Sequence, residues 1–188
     1  MNRGDAVPDG DGNEPAHATG DEVAWTDSLS EQARDWYFIA LDLQNDGRLA
    51  IGADLLVRAS CLDGGSAPLR EAAARAQFRA SQYFGSSVTF TAMFALNTKD
   101  DFAWYASGLC LALMGYFDKA LLHLTEAAGR RPDVERYGHA LAVVQKVSDE
   151  VEGDPVLMPS YLVPRIPIAS ELLALELGAR PGPAESSG

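Results

Sequence analysis

Apolar residues recur at intervals of three and four positions from Trp25 to Val147, the spacing that lays a stripe along one face of an α-helix. Trp36, Ile39, Ala40 and Leu43 make the first stripe, and Leu49, Leu55, Leu56 and Ala59 resume it beyond Gly47. Leu69, Ala72, Ala73 and Ala76 open a further helix, and Asp100 and Asp101 stand where an N-cap belongs ahead of Phe102 to Met114. Gly115 interrupts the pattern, Lys119 to Ala128 resumes it, and Gly129 with Pro132 ends it. Glu135 to Val147 supplies one more amphipathic helix. The two-residue alternation of strands is suggested only at Ser87 to Thr91, where β-branched residues cluster. The pattern predicts an all-α fold of seven antiparallel helices over residues 33–148. Breaks are expected near Gly47, 64–68, 81–85, 97–101, Gly115 and 131–132.

The flanks read differently. Residues 1–24 hold six acids and one Arg with almost no large apolar side chain, too little to offset the entropy of ordering, so a disordered acidic tail is expected. The helical domain then occupies residues 25–148. Four prolines between Pro155 and Pro167 block a helix, yet the Val, Leu, Met, Tyr and Ile among them suit a segment laid across the helices. Glu171 to Leu177 is expected to form a last short helix, capped by Ser170 and ended by Gly178. A proline-rich segment with a terminal helix thus covers 149–179, and residues 180–188 are expected to be a disordered tail.

A fixed period runs through the helical part. Trp104, Gly108, Leu111, Gly115, Phe117, Ala120, Leu124, Ala127 and Pro132 fall at set offsets. Small Gly108 and Ala120 suit a close helix crossing, Trp104 and Leu124 fill the space around it, and Pro132 stops the second helix. This window resembles the tetratricopeptide repeat, a helix-turn-helix unit of about 34 residues. Trp36 precedes Trp104 by 68 positions, and Ala40, Leu43, Gly47, Gly52, Leu56 and Ala59 follow it as a degenerate copy. A middle copy keeps Ala74, Tyr83, Ser86 and Phe90 but places Arg70 at the Trp position. Leu141 and Ala142 begin a fourth that lacks its second helix. The resemblance implies an α-solenoid of about three repeats plus a terminal capping helix.

Charge and composition narrow the function. The 188 residues carry 27 acids against 15 bases, a net charge of −12, which repels nucleic-acid backbones and anionic membrane surfaces. The N-terminus is the opposite of a basic, apolar secretory signal, and the longest uncharged stretch, 80–98, is too polar to span a bilayer. A cytoplasmic location is expected. Cys61 and Cys110 are too few for a structural zinc site, and are expected to be buried thiols. His123 has Glu126 one turn on, a spacing expected to be a solvent-facing His beside an acid rather than a metal pair. No phosphate loop, nucleophile elbow or paired-carboxylate motif is present. The expectation is a protein without enzymatic activity, cofactor or metal.

The resemblance also implies where a ligand sits. Family members line a concave wall with the first helix of each pair. The corresponding positions here are Arg34, Tyr37, Leu41, Gln44 and Asn45, then Pro68, Glu71, Arg75, Phe78 and Arg79. Phe102, Tyr105, Leu109, Ala112 and Leu113 follow, and the terminal helix adds Arg136, His139, Val143, Lys146 and Val147. Five bases and one acid make this wall about +4 on an acidic chain, with aromatic residues interspersed, a combination found at binding hot spots. A protein or peptide segment with acidic and apolar side chains is the expected partner, bound by an adaptor or chaperone. The acidic tail is expected to compete weakly for the same wall. Positions that carry Lys, Asn and Arg in carboxylate-clamp members hold Tyr37, Leu41, Ala72, Phe102 and Ala106, so the resemblance stops short of a clamp. The alternative is a structural subunit of a larger complex that docks through its proline-rich segment.

Overall fold

The computed structural model describes residues 25–153 and 170–182, and all structural statements below concern these. The helices are α1 (Glu31–Asn45), α2 (Leu49–Leu62), α3 (Ala67–Arg79), α4 (Tyr83–Leu96), α5 (Asp101–Leu113), α6 (Phe117–Arg130), α7 (Glu135–Gly153) and the single turn α8 (Ser170–Leu173). No strand occurs among the described residues. Each helix from α1 to α7 packs against its neighbour in sequence, and α5 also touches α7 and α8. The seven helices expected over 33–148 are α1 to α7. The expected acidic tail (1–24) and the proline-rich run of 154–169 lie outside the described residues.

The array repeats every 34 residues. The second helices begin at positions 49, 83 and 117 and end at 62, 96 and 130. The turn before each of them closes identically. Gly47, Ser81 and Gly115 take positive φ angles of 77°, 58° and 81°. Their N–H groups donate to Gln44, Phe78 and Ala112, and the next N–H reaches back to Leu43, Gln77 and Leu111 at 2.8–2.9 Å. This double bond pattern satisfies carbonyls that a helix end leaves open. The first helices instead begin behind side-chain caps: Ser30, Ser66 and Asp100 accept the N–H groups of Ala33, Leu69 and Ala103.

Close crossing within each pair needs small residues twelve positions apart. A side chain at Gly52 would put its Cβ 2.8 Å from the Ala40 carbonyl oxygen, and one at Gly108 would lie 2.8 Å from Leu124 and 3.3 Å from the Ala120 carbonyl. In the middle pair Ser86 fills the same place, its Oγ donating to the Ala74 carbonyl at 2.8 Å. Two cores result. One gathers Tyr37, Ala40, Leu56 and Leu69, and the other runs from Ala74 through Phe90, Phe102, Leu124 and Val144 to Leu172, Leu175 and Leu177. Helix α3 divides them, with Ala73 on one side and Ala74 on the other.

Three expectations need correction. Ser87 to Thr91 is helical, inside α4: burial of Ser86, Phe90, Met93 and Phe94 at three- and four-residue spacing outweighs the β-branched preference, and Thr89 Oγ1 donates back to the Gly85 carbonyl at 3.0 Å. Helix α7 runs to Gly153, beyond the predicted end near 148. The expected helix over 171–177 is one turn only. Beyond it the chain extends, which lets Leu175 and Leu177, two apart, both enter the core.

Candidate functional site

The face made by α3, α5 and α7 is covered by the chain's own C-terminal residues. After α8 the backbone crosses α5, where the Tyr105 hydroxyl donates to the Glu176 carbonyl at 2.8 Å. It reaches α3, where Arg75 donates to the Gly178 carbonyl at 2.7 Å. Gly178, at φ +60°, turns it back. Arg136 then holds the Ala179 carbonyl, and Arg131 the Gly182 carbonyl at 2.9 Å. Lys146 pairs with Glu171 at 2.7 Å. Residues 180–182, expected to be disordered, are thus bonded to the array.

Arg180 makes the densest polar contacts of this strap. Its Nη1 donates to Asp100 Oδ1 at 2.7 Å, and its Nη2 to Glu71 Oε2 at 2.7 Å and Asp100 Oδ2 at 3.1 Å. Nε adds a bond to Glu71 Oε2 at 2.9 Å. The guanidinium lies 5.0 Å from the centroid of the Phe102 ring. Burial works against its charge, but the bonds to Asp100 and Glu71 outweigh that and hold its pKa above the ordinary arginine value. Arg75, bonded to Glu71 Oε1 at 2.8 Å, sits over the same ring at 4.3 Å. Burial pushes the Tyr105 hydroxyl up to about 12, against the pull of Arg136, so it stays a donor to the strap.

The expected wall residues divide into four groups. Arg75, Tyr105, Arg136 and Lys146 touch the strap directly, while Phe102 is fully buried beneath Arg180. Leu109 is also fully buried, so Phe102, Tyr105 and Leu109, expected on the concave wall, belong to the core, closed by α8 and the strap. Tyr37 is buried against Trp25, Leu41 packs on the first core, Arg34 approaches Asp27 at 4.0 Å, and His139 is exposed; these four stand apart from the strap.

Phe78 and Arg79 line a pocket of about 530 Å³ with Arg75, Tyr83 and strap residues 176–178. Arg79 donates to the Gln44 amide oxygen and has no carboxylate partner among the described residues; burial and then Arg75 lower its pKa. Arg75, Arg79 and Arg136 of the predicted wall thus each donate to a carbonyl or amide oxygen, Arg75 to the Glu71 carboxylate as well. The Arg180 contacts, by contrast, are not in the predicted site. Asp100 was legible as a cap and Glu71 as the one acid of the wall; the alternation of Leu175 and Leu177 ahead of Gly178 and Arg180 was the signal for a strand-like strap.

Two candidate chemical groups sit in other settings than expected. His123 is half-buried between Phe94 and Trp104, its Nδ1 3.1 Å from Ser107 Oγ, not solvent-facing beside Glu126. Helix α6 turns that face onto α4 and α5. Cys61 is exposed, against the expected burial, because its position on α2 points away from α1 and α3; Cys110 is buried, which pushes its thiol up to about 12. Among the described residues no group of three or more His, Cys, Asp or Glu is placed to hold a metal, and no helix is long and apolar enough to cross a membrane. Comparison with family models, curated proteins and solved structures gives no match.

Proposed function

We propose that this chain is a tetratricopeptide-like interaction module, an adaptor or chaperone without catalytic activity, that holds an extended partner segment on the face of α3, α5 and α7. The observation that carries this reading is the strap. An extended segment lies on that face with four of its carbonyls bonded by Tyr105, Arg75, Arg136 and Arg131. Carbonyl-directed bonds are indifferent to side chains, so they suit any extended chain. The 34-residue period and its repeated turns support the family reading. Leu175, Glu176 and Leu177 give the strap the apolar and acidic chemistry proposed for the partner.

The test uses the full chain with Leu175→Asp and Leu177→Asp, which removes the two apolar anchors, against arrays of extended twelve-residue peptides. The variant should gain binding to peptides with apolar side chains two apart, with wild type binding at least tenfold more weakly. Equal, negligible binding by both, with helical circular dichroism intact, overturns the reading.

A structural role within a larger complex is the second reading. It is favoured by α4, which has no charged residue and exposes Phe84 (71%) and Leu96 (75%). Val88→Lys with Leu96→Lys should then reduce the mass of the native complex measured by sedimentation. An unchanged mass counts against it.

A further inference from the structure

Resting on that binding reading, we propose that Glu71, Asp100 and Phe102 form an arginine-reading subsite. The partner would be an extended segment of the pattern Leu-x-Leu-Gly-x-Arg, and Arg180 occupies its place in the free protein. The geometry suits a guanidinium and little else. Two carboxylates from different elements receive three different nitrogens of one planar group, with an aromatic ring alongside. A lysine would offer one point charge and no plane to lie against Phe102.

Asp100 is the group that most needs an occupant. With the strap in place the Glu71 and Asp100 side chains are 17% and 9% exposed, and Asp100 has no other cation within ion-pair distance among the described residues, whereas Glu71 keeps Arg75 at 2.8 Å. Removing Arg180 leaves the Asp100 carboxylate without a counter-charge, so an empty subsite favours whichever arginine can reach it. The strap meets that demand in cis, but its outer contacts are exposed. Arg180, Gly178 and Ala179 all face solvent on one side, where bonds open at small cost. Beyond α8 the side chains that hold the strap to the array are Leu175, Leu177 and Arg180, and backbone carbonyls supply the rest of its hold there. A partner of the same pattern can therefore replace it contact for contact, and must do so to bind.

The experiment uses a fluorescein-labelled peptide with the sequence of residues 171–182, and a second in which its arginine is replaced by alanine. Both are titrated by fluorescence anisotropy into the full chain and into the full chain carrying Leu175→Asp and Leu177→Asp. If that variant loses its helical signal, Gly178→Val takes its place, since a branched side chain at this positive φ dislodges the strap without adding charge to the core. The arginine peptide should bind the variant at least tenfold more tightly than wild type, and at least tenfold more tightly than the alanine peptide binds that variant. Adding Asp100→Asn to the variant should bring the two peptides within threefold of each other. Equal binding of both peptides to the strap-released chain overturns the arginine subsite while leaving the binding face intact. Binding of neither peptide to a helical, strap-released chain overturns both readings.

Discussion

Asp100 caps α5 and seats Arg180 with the same oxygen: its Oδ1 accepts the Ala103 N–H at 3.0 Å and the Arg180 Nη1 at 2.7 Å, while Oδ2 accepts Nη2 at 3.1 Å. The two tasks separate by substitution. Asp100→Asn keeps an acceptor for the cap and loses the charge, whereas Asp100→Ala loses both. Loss of a cap costs about 1 kcal/mol, so the alanine variant should be less stable than the asparagine variant by about that amount in urea unfolding. Both variants should speed amide exchange at Leu175, whose N–H donates to the Leu172 carbonyl at 3.1 Å, while leaving α1 and α2 unchanged. Exchange in the strap that ignores both substitutions would show that Arg180 does not hold it.

Ser81 takes the place that Gly47 and Gly115 fill in the other two turns, at φ +58°. A residue with a Cβ pays for that conformation, and Ser81 gains only a long 3.4 Å contact with the Tyr83 hydroxyl in return. Ser81→Gly should raise stability by about 0.5–1 kcal/mol even though glycine loosens the unfolded chain. A lower denaturation midpoint would mean that the serine side chain stabilises the turn by a contact not seen here.

The helical glycines divide by what surrounds them. A Cβ at Gly52 would meet the Ala40 backbone oxygen at 2.8 Å, and backbone cannot move aside as a flexible side chain can. Gly52→Ala should therefore destabilise by about 1–3 kcal/mol. Gly138, inside α7, has nothing within 4 Å of such a Cβ, and Gly138→Ala should stabilise by about 0.5–1 kcal/mol. Thermal melts of the pair with shifts of the same sign would refute the assigned crossing.

Much of this architecture was legible in the residues. The apolar stripes and the glycines at 47 and 115 located the helices and turns, because helix periodicity and positive-φ turns write themselves into local sequence. The middle turn was harder: Ser81 carries no glycine signal, and its place follows only from the 34-residue register. The wall was legible as a set of positions but not as an occupied surface. Arg75 and Arg136 gave no sign of binding carbonyls, since their acceptors sit 103 and 43 residues away. Contacts that distant leave no periodic trace, and Arg180, in a stretch rich in Gly and Pro, read as tail.

His123 links stability to pH. Burial, and secondarily Lys119, lower its pKa from the ordinary 6.5, so the unfolded chain takes up a proton more readily than the folded one. Its contribution is therefore complete above about pH 6.5 and is lost as pH falls below that value toward the folded pKa. Between pH 7.5 and 5 the melting temperature of wild type should fall further than that of His123→Gln, which keeps a polar group near Ser107 but does not titrate. Parallel curves for the two proteins would place the ring in solvent.

Arg79 is a wall residue with little structural return. It lines the pocket beside Glu176 and Leu177, bonded to the Gln44 amide oxygen, with Arg75 adding repulsion and no acid paired to it among the described residues. A half-buried cation so placed gives the fold little, and apolar replacement of such groups is often neutral or stabilising. Arg79→Met should shift stability by no more than about 1 kcal/mol in either direction, and upward if the Arg75 repulsion dominates. Binding should respond in the opposite sense. With the strap released by Leu175→Asp and Leu177→Asp, peptides bearing an acidic residue between two leucines should bind at least fivefold more weakly once Arg79→Met is added. The same peptides with glutamine at that position should be indifferent to it. Raising salt should narrow the difference, since the pocket is open enough for counterions to enter. A large loss of stability with no change in acidic-peptide affinity would make Arg79 a structural residue and remove the acidic preference from this face.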